Sequence, residues 1–125
     1  MTIKEWVYGQ VVAQPDLEFN RIESNLEEAT IMSSWIDWPV MSFKKDWVVS
    51  DVISKLDLQQ IEDNCETIAT ELEIAYSGRV WENNTIITHE DFNRWEQFVV
   101  NAVAYIRSLQ YPYCGTFRAG EAGMI

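Results

Sequence analysis

The groups in this chain that could carry chemistry are twenty carboxylates, one histidine and two cysteines. A glycosidase needs only two acids at a set separation, and Glu62 and Glu66, four residues apart, would share one face of a helix. They flank an apolar stripe, however, and are expected to be water-facing edge residues. Zinc asks for close-set Cys and His ligands, commonly four of them, whereas Cys65, His89 and Cys114 are far apart. Residue 86, three before the histidine, is Ile86 and not the glutamate of a helical di-iron motif. No Gly-x-Ser-x-Gly elbow, phosphate-cradling glycine loop or calcium loop occurs. The expectation is therefore a protein that is not an enzyme and uses no cofactor or metal.

What the polar residues do show is repetition. Phe19-Asn-Arg-Ile-Glu-Ser-Asn25 aligns with Leu58-Gln-Gln-Ile-Glu-Asp-Asn64 and with Phe92-Asn-Arg-Trp-Glu96. Asn20, Arg21, Glu23 and Asn25, then Glu62 and Asn64, then Asn93, Arg94 and Glu96 lie beside the apolar contacts Ile22, Ile61 and Trp95. At such a boundary, Glu and Asn side chains can bind the backbone of an extended segment and satisfy amides that no ladder covers.

These residues must be positioned by helices. Residues 58, 61, 65, 68, 72 and 75 (Leu58, Ile61, Cys65, Ile68, Leu72, Ala75) alternate spacings of three and four, as do Phe92, Trp95, Val99, Ala102, Ile106 and Leu109. Leu17, Phe19, Ile22, Leu26 and Ala29 give the first stripe. Ser54 with Asp57, and Thr88 with Asp91, are N-cap pairs, each preceded by an isoleucine that can staple onto the first turn. The first helix has Gln14-Pro15 in the matching places, proline being suited to the opening turn. Gly78 is read as a left-handed stop for the second helix, and Pro39 and Pro112 close the other two.

Three amphipathic helices of similar length can enclose a core only by packing together. The expected fold is mainly α: a single domain over 1–125, a three-helix bundle of repeated cap-and-stripe helices at about 16–34, 55–77 and 89–110. Residues 5–13 and 113–125 are expected to be extended or β-prone. Residues 40–53 read as an ordered connection whose aromatics, Phe43 and Trp47, cover the bundle. Cys65, on the second stripe, is expected to serve as a small buried hydrophobe.

The formal charge of −11 would repel nucleic-acid backbones and anionic lipid, so neither is an expected partner. No run of about 18 apolar residues is present to cross a membrane. The opening residues lack the basic start and apolar block of a signal peptide, so a cytoplasmic protein is expected.

The motifs FNRIESN, QQIEDN and FNRWE at helix starts, with a Gly- and Phe-containing C-terminal stretch, resemble small tail-region structural proteins of phages and prophages of Gram-positive bacteria. In that family an Asn-Arg-Ile-Glu motif recurs at helix starts; the second copy here departs from it with Gln59-Gln60. The resemblance implies a virion component without catalysis, assembled in the host cytoplasm, present in several copies, bound to tail or baseplate proteins and able to self-associate. Tyr111, Tyr113 and Phe117 are the candidate protein interface. Two alternatives stay open. The carboxylates of residues 57–73, with no basic residue among them, suit an acidic DNA mimic that inhibits a DNA-binding enzyme. A host adaptor or interaction domain would need no more than the same bundle.

Overall fold

The structure is a computed structural model and describes residues 1–7, 14–82 and 86–110. It is a mainly-α three-helix bundle: α1 Pro15–Met32, α2 Lys55–Leu72 and α3 His89–Gln110, each in contact with the other two. Ile22, Ile61 and Trp95 meet at its centre with almost no exposure. Around them lie Phe19, Leu26, Cys65, Ile68, Phe92, Val99 and Ile106, and three tryptophans from outside the helices, Trp6, Trp47 and Trp81, complete the core. The stripes predict these contacts well in their middles and poorly at their ends. Leu17, Ala75 and Leu109 are exposed, because the packed interface is shorter than the periodic pattern.

The caps form as local chemistry dictates. At α2 the Asp57 amide donates to the Ser54 hydroxyl (3.3 Å) and the Ser54 amide donates to the Asp57 carboxylate (3.0 Å), a complete capping box. At α3 the Thr88 amide donates to Asp91 (2.9 Å). The start of α1 has no side-chain cap; the Gln14 carbonyl accepts from Leu17 and Glu18, and Pro15 occupies the first turn. At its far end, the Ser33 hydroxyl donates back to the Ala29 carbonyl and the Trp38 indole N–H donates to the Ser33 carbonyl, which turns the chain away before Pro39.

Two expectations about α2 are corrected. The helix ends at Leu72, not near 77, and its left-handed residue is Glu73 (φ 59°), not Gly78. The Glu73 amide donates to Ala69 and Thr70 carbonyls, and the Ile74 amide to Ala69, so the carbonyls left open by the last turn are met there. Gly78 is needed for another reason. A Cβ at that position would stand 3.0 Å from a Glu62 carboxylate oxygen and from the Tyr76 ring, so the glycine lets the segment after α2 approach the helix closely.

Among the described residues there is no strand; residues 1–7 and the connections are irregular chain. Most of the expected extended stretch 5–13, and all of 113–125, lie outside the described residues. Cys65 is fully buried and free, and burial pushes its thiol pKa up, which makes it inert packing. His89 is half-buried at the first turn of α3. No helix of the described residues is long and apolar enough to cross a membrane.

Candidate functional site

In a helix, residues three apart share a face, so the amide and the glutamate of each motif point the same way. On α1 the Asn20 carboxamide accepts the Trp47 amide (2.7 Å) and donates to the Trp47 carbonyl (3.0 Å). Glu23 accepts the Lys44 amide (2.7 Å) and the Trp47 indole N–H (3.0 Å). On α3, Asn93 does the same with the backbone of Trp6, and Glu96 accepts the Lys4 amide and the Trp6 indole N–H, both at 3.3 Å. On α2, Gln59 accepts the Trp81 amide (3.1 Å), and Glu62 accepts the Trp81 indole N–H (2.9 Å) and the Tyr76 hydroxyl. Each helix thus grips an extended segment by one tryptophan, imitating a single rung of a β-ladder with side chains.

The other end of each segment is held by a different helix. Asn25 and Arg21 of α1 donate to the Thr2 carbonyl at 2.7 and 3.0 Å, and Asn64 of α2 donates to the Ser42 carbonyl at 2.7 Å. The third copy has Phe98 where an asparagine would stand, and it meets the Tyr76 ring edge-on with centroids 4.9 Å apart. The segments therefore bridge α1 to α3, α2 to α1 and α3 to α2, closing a pseudo-threefold ring. Each tryptophan also carries a cation of its own segment over its face: Lys4 at 5.6 Å, Lys44 at 4.7 Å and Arg79 at 4.2 Å.

Arginines tie the ring together. Arg21 donates to Glu18 on its own helix and to Glu96 across on α3; Arg94 donates to Asp91 on its own helix and to Glu62 across on α2. Burial raises the cost of the Glu18 and Asp91 charges, but their bonds to Lys4 and Arg21, and to Arg79 and Arg94, outweigh it and hold both carboxyls below their ordinary range. Glu23 goes the other way: burial pushes its pKa up and the Asp57 charge adds to this, against the Trp47 and Lys44 donors.

The pH dependence follows from these signs. Glu18 and Asp91, whose folded pKa values are depressed, contribute stability that is whole above their unfolded values and is lost as pH falls through the folded ones. Glu23, raised in the fold, costs stability above its folded value and relieves that cost as pH falls through it. The urea midpoint is expected to hold or rise slightly from pH 7 toward the carboxylate range, then fall below about pH 4. Asp91→Asn should flatten that acid limb; an unchanged limb would show that the Asp91 pairs contribute nothing.

The sequence motif residues are thus found together with the segments they hold, while Ile22, Ile61 and Trp95 fill the core. Tyr111, Tyr113 and Phe117 lie outside the described residues. Sequence reasoning missed the other half of each clamp. Lys4-Glu-Trp6, Lys44-Lys-Asp-Trp47 and Arg79-Val-Trp81 form a second, looser repeat of a basic residue two or three before a tryptophan, and that was the available signal. Among the described residues no group of three His, Cys, Asp or Glu side chains could hold a metal. A cavity of about 550 Å³ lies where the N-terminal segment meets α3, but the Lys4, Asn93, Arg94 and Glu96 side chains on its wall are already bonded to the protein. The Trp95 indole N–H, in the middle of the core, has no hydrogen-bond partner among the described residues. No family model matches this chain, and neither a curated protein nor a solved structure matches it.

Proposed function

We propose that this chain is a non-enzymatic tail-associated structural protein of a phage or prophage, carried in the virion in several copies and bound there to other tail or baseplate proteins. The observation that carries this reading is the use made of the Asn-Arg-Ile-Glu motif. In each copy the polar side chains are spent on holding the chain's own extended segments, a role suited to a scaffold and not to a reaction centre. The connection between α1 and α2 so held turns apolar side chains outward: Val40, Val48, Val49 and Val52 are all more than half exposed, surface that a partner could cover. Particles induced from a bacterium carrying the gene are expected to contain the chain by mass spectrometry. The purified chain is expected to co-elute with a purified tail protein encoded beside it. Absence from the particles, with no binding to such tail proteins, would overturn the reading.

One observation favours a second reading, the acidic DNA mimic. Asp63, Glu66 and Glu71, with Thr67 and Thr70, line a shallow hollow of about 340 Å³ on the outer face of α2. None of the three acids has an ion pair among the described residues. Binding to a DNA-processing enzyme that DNA displaces and salt weakens is expected under this reading; salt-insensitive binding would exclude it.

A further inference from the structure

The three clamps share their donors but not their cations. Glu96 on α3 is met by Arg21 from α1, and Glu62 on α2 is met by Arg94 from α3. The position on α2 that corresponds to Arg21 and Arg94, and would serve Glu23 on α1 in the same way, is Gln60, which is exposed and donates instead to Asn64 at 3.0 Å. Glu23 is buried, and no ion pair reaches it among the described residues. The neighbouring Lys44 ammonium is turned to Asp46, to Asp51 and to the Trp47 ring, and Asp57 of α2 opposes Glu23 with like charge.

The segment on this clamp is also less embedded than the one after α2. Between residues 40 and 52 only Trp47 is buried; Met41 and Phe43 are partly covered, and every other side chain is exposed. Its remaining ion pair to a helix, Lys45 to Glu27, has a lysine almost half exposed and so contributes little. The segment after α2, by contrast, is fastened by two bonds from Arg79 to the buried Asp91, at 2.8 and 2.9 Å, and by Tyr76 between Glu62 and Arg94.

We propose that residues 40–52 form a strap that opens on its own, lifting Trp47 off α1 while the bundle and the clamp around Trp81 stay closed. The reason is local. Opening this strap returns to water a carboxylate that no arginine pairs, whereas opening the segment around Trp81 breaks the Arg79–Asp91 pair and strips the buried Glu62 of its Trp81 and Tyr76 donors. Opening the strap exposes Asn20, Glu23 and the place of Trp47, while the apolar contacts between the three helices stay closed.

The indole N–H groups report the difference directly, since Trp47 and Trp81 each donate to an equivalent glutamate. In the full chain at neutral pH, followed by NMR hydrogen exchange, the Trp47 indole and the Lys44 and Trp47 amides are expected to exchange at least about tenfold faster than the Trp81 indole and amide. Gln60→Arg, at an exposed position, supplies the missing cation and should slow the Trp47 group by a similar factor while leaving Trp81 unchanged. Arg94→Gln places on α3 the residue type that α2 has, and should bring Trp81 exchange up toward that of Trp47, relative to the Ile61 amide of the core. Equal protection of Trp47 and Trp81 in the unaltered chain would overturn the proposal. So would a Gln60→Arg variant that slows every site alike or slows none.

Discussion

Replacing Arg94 by alanine is expected to destabilise the protein by about 3–5 kcal/mol, the usual cost of stranding a buried charge. Among the described residues Arg94 is the one cation paired with Glu62, whose side chain is 3% exposed. It also donates to Asp91 at 2.8 Å and to the Tyr76 hydroxyl at 3.3 Å. Without it Asp91 keeps two bonds from Arg79, so the damage concentrates on Glu62, left with the Trp81 indole and the Tyr76 hydroxyl. Urea unfolding at neutral pH measures the loss. Glu62→Gln in the same chain removes the stranded charge, so the double variant should lose less than the two single losses added, by about 1–3 kcal/mol. A single-variant loss below about 1 kcal/mol, the scale of an exposed ion pair, would show that Arg94 is a surface residue in solution. Strict additivity would show that it acts through something other than Glu62.

The second large effect is expected at Trp81. Its ring is buried against Trp95 at 6.2 Å, its amide and indole are both bonded to α2, and the Arg79 guanidinium lies 4.2 Å over its face. Truncation to alanine removes the packing and strands the Gln59 and Glu62 acceptors, for a loss of about 3–5 kcal/mol, as large-to-alanine changes in cores cost. Such a loss takes a large share of the roughly 5–15 kcal/mol that holds a domain folded. Trp35 serves as the control: it has the same side chain but is 54% exposed, so Trp35→Ala should cost a small fraction of that. Thermal melts of the two variants side by side decide it, and similar midpoints would mean that the clamp around Trp81 contributes no more than surface contact. Trp95→Phe offers a finer comparison, because it deletes a buried donor that has no partner among the described residues and keeps a large aromatic ring.

Much of this fold could be read from the chain because it is written locally. The caps at Ser54 and Thr88 need only residues three apart, and the stripes through Ile22, Ile61 and Trp95 need only the helical period, so both survive any tertiary arrangement. The repeated Asn and Glu positions were legible for the same reason, but Glu62, read from its place beside the stripe as water-facing, is buried under Trp81 and Tyr76. The occupants of these positions were not legible. Trp47 lies 27 residues from Asn20, Trp81 lies 19 residues from Glu62, and Trp6 lies 90 residues from Glu96. No periodicity connects such pairs.

Sequence alone determined three amphipathic helices, their caps, the core they share and the polar groups left at its boundary, since each follows from neighbours within about one or two turns. Only the tertiary structure decided that α2 stops at Leu72, that Gly78 makes room for Glu62, and that Gln60 leaves one buried glutamate without the arginine its two counterparts have. Each of these depends on which segment of chain lies across which helix. That is settled by the burial of three tryptophans and by charges brought together from distant parts of the sequence, not by any local preference of the residues concerned.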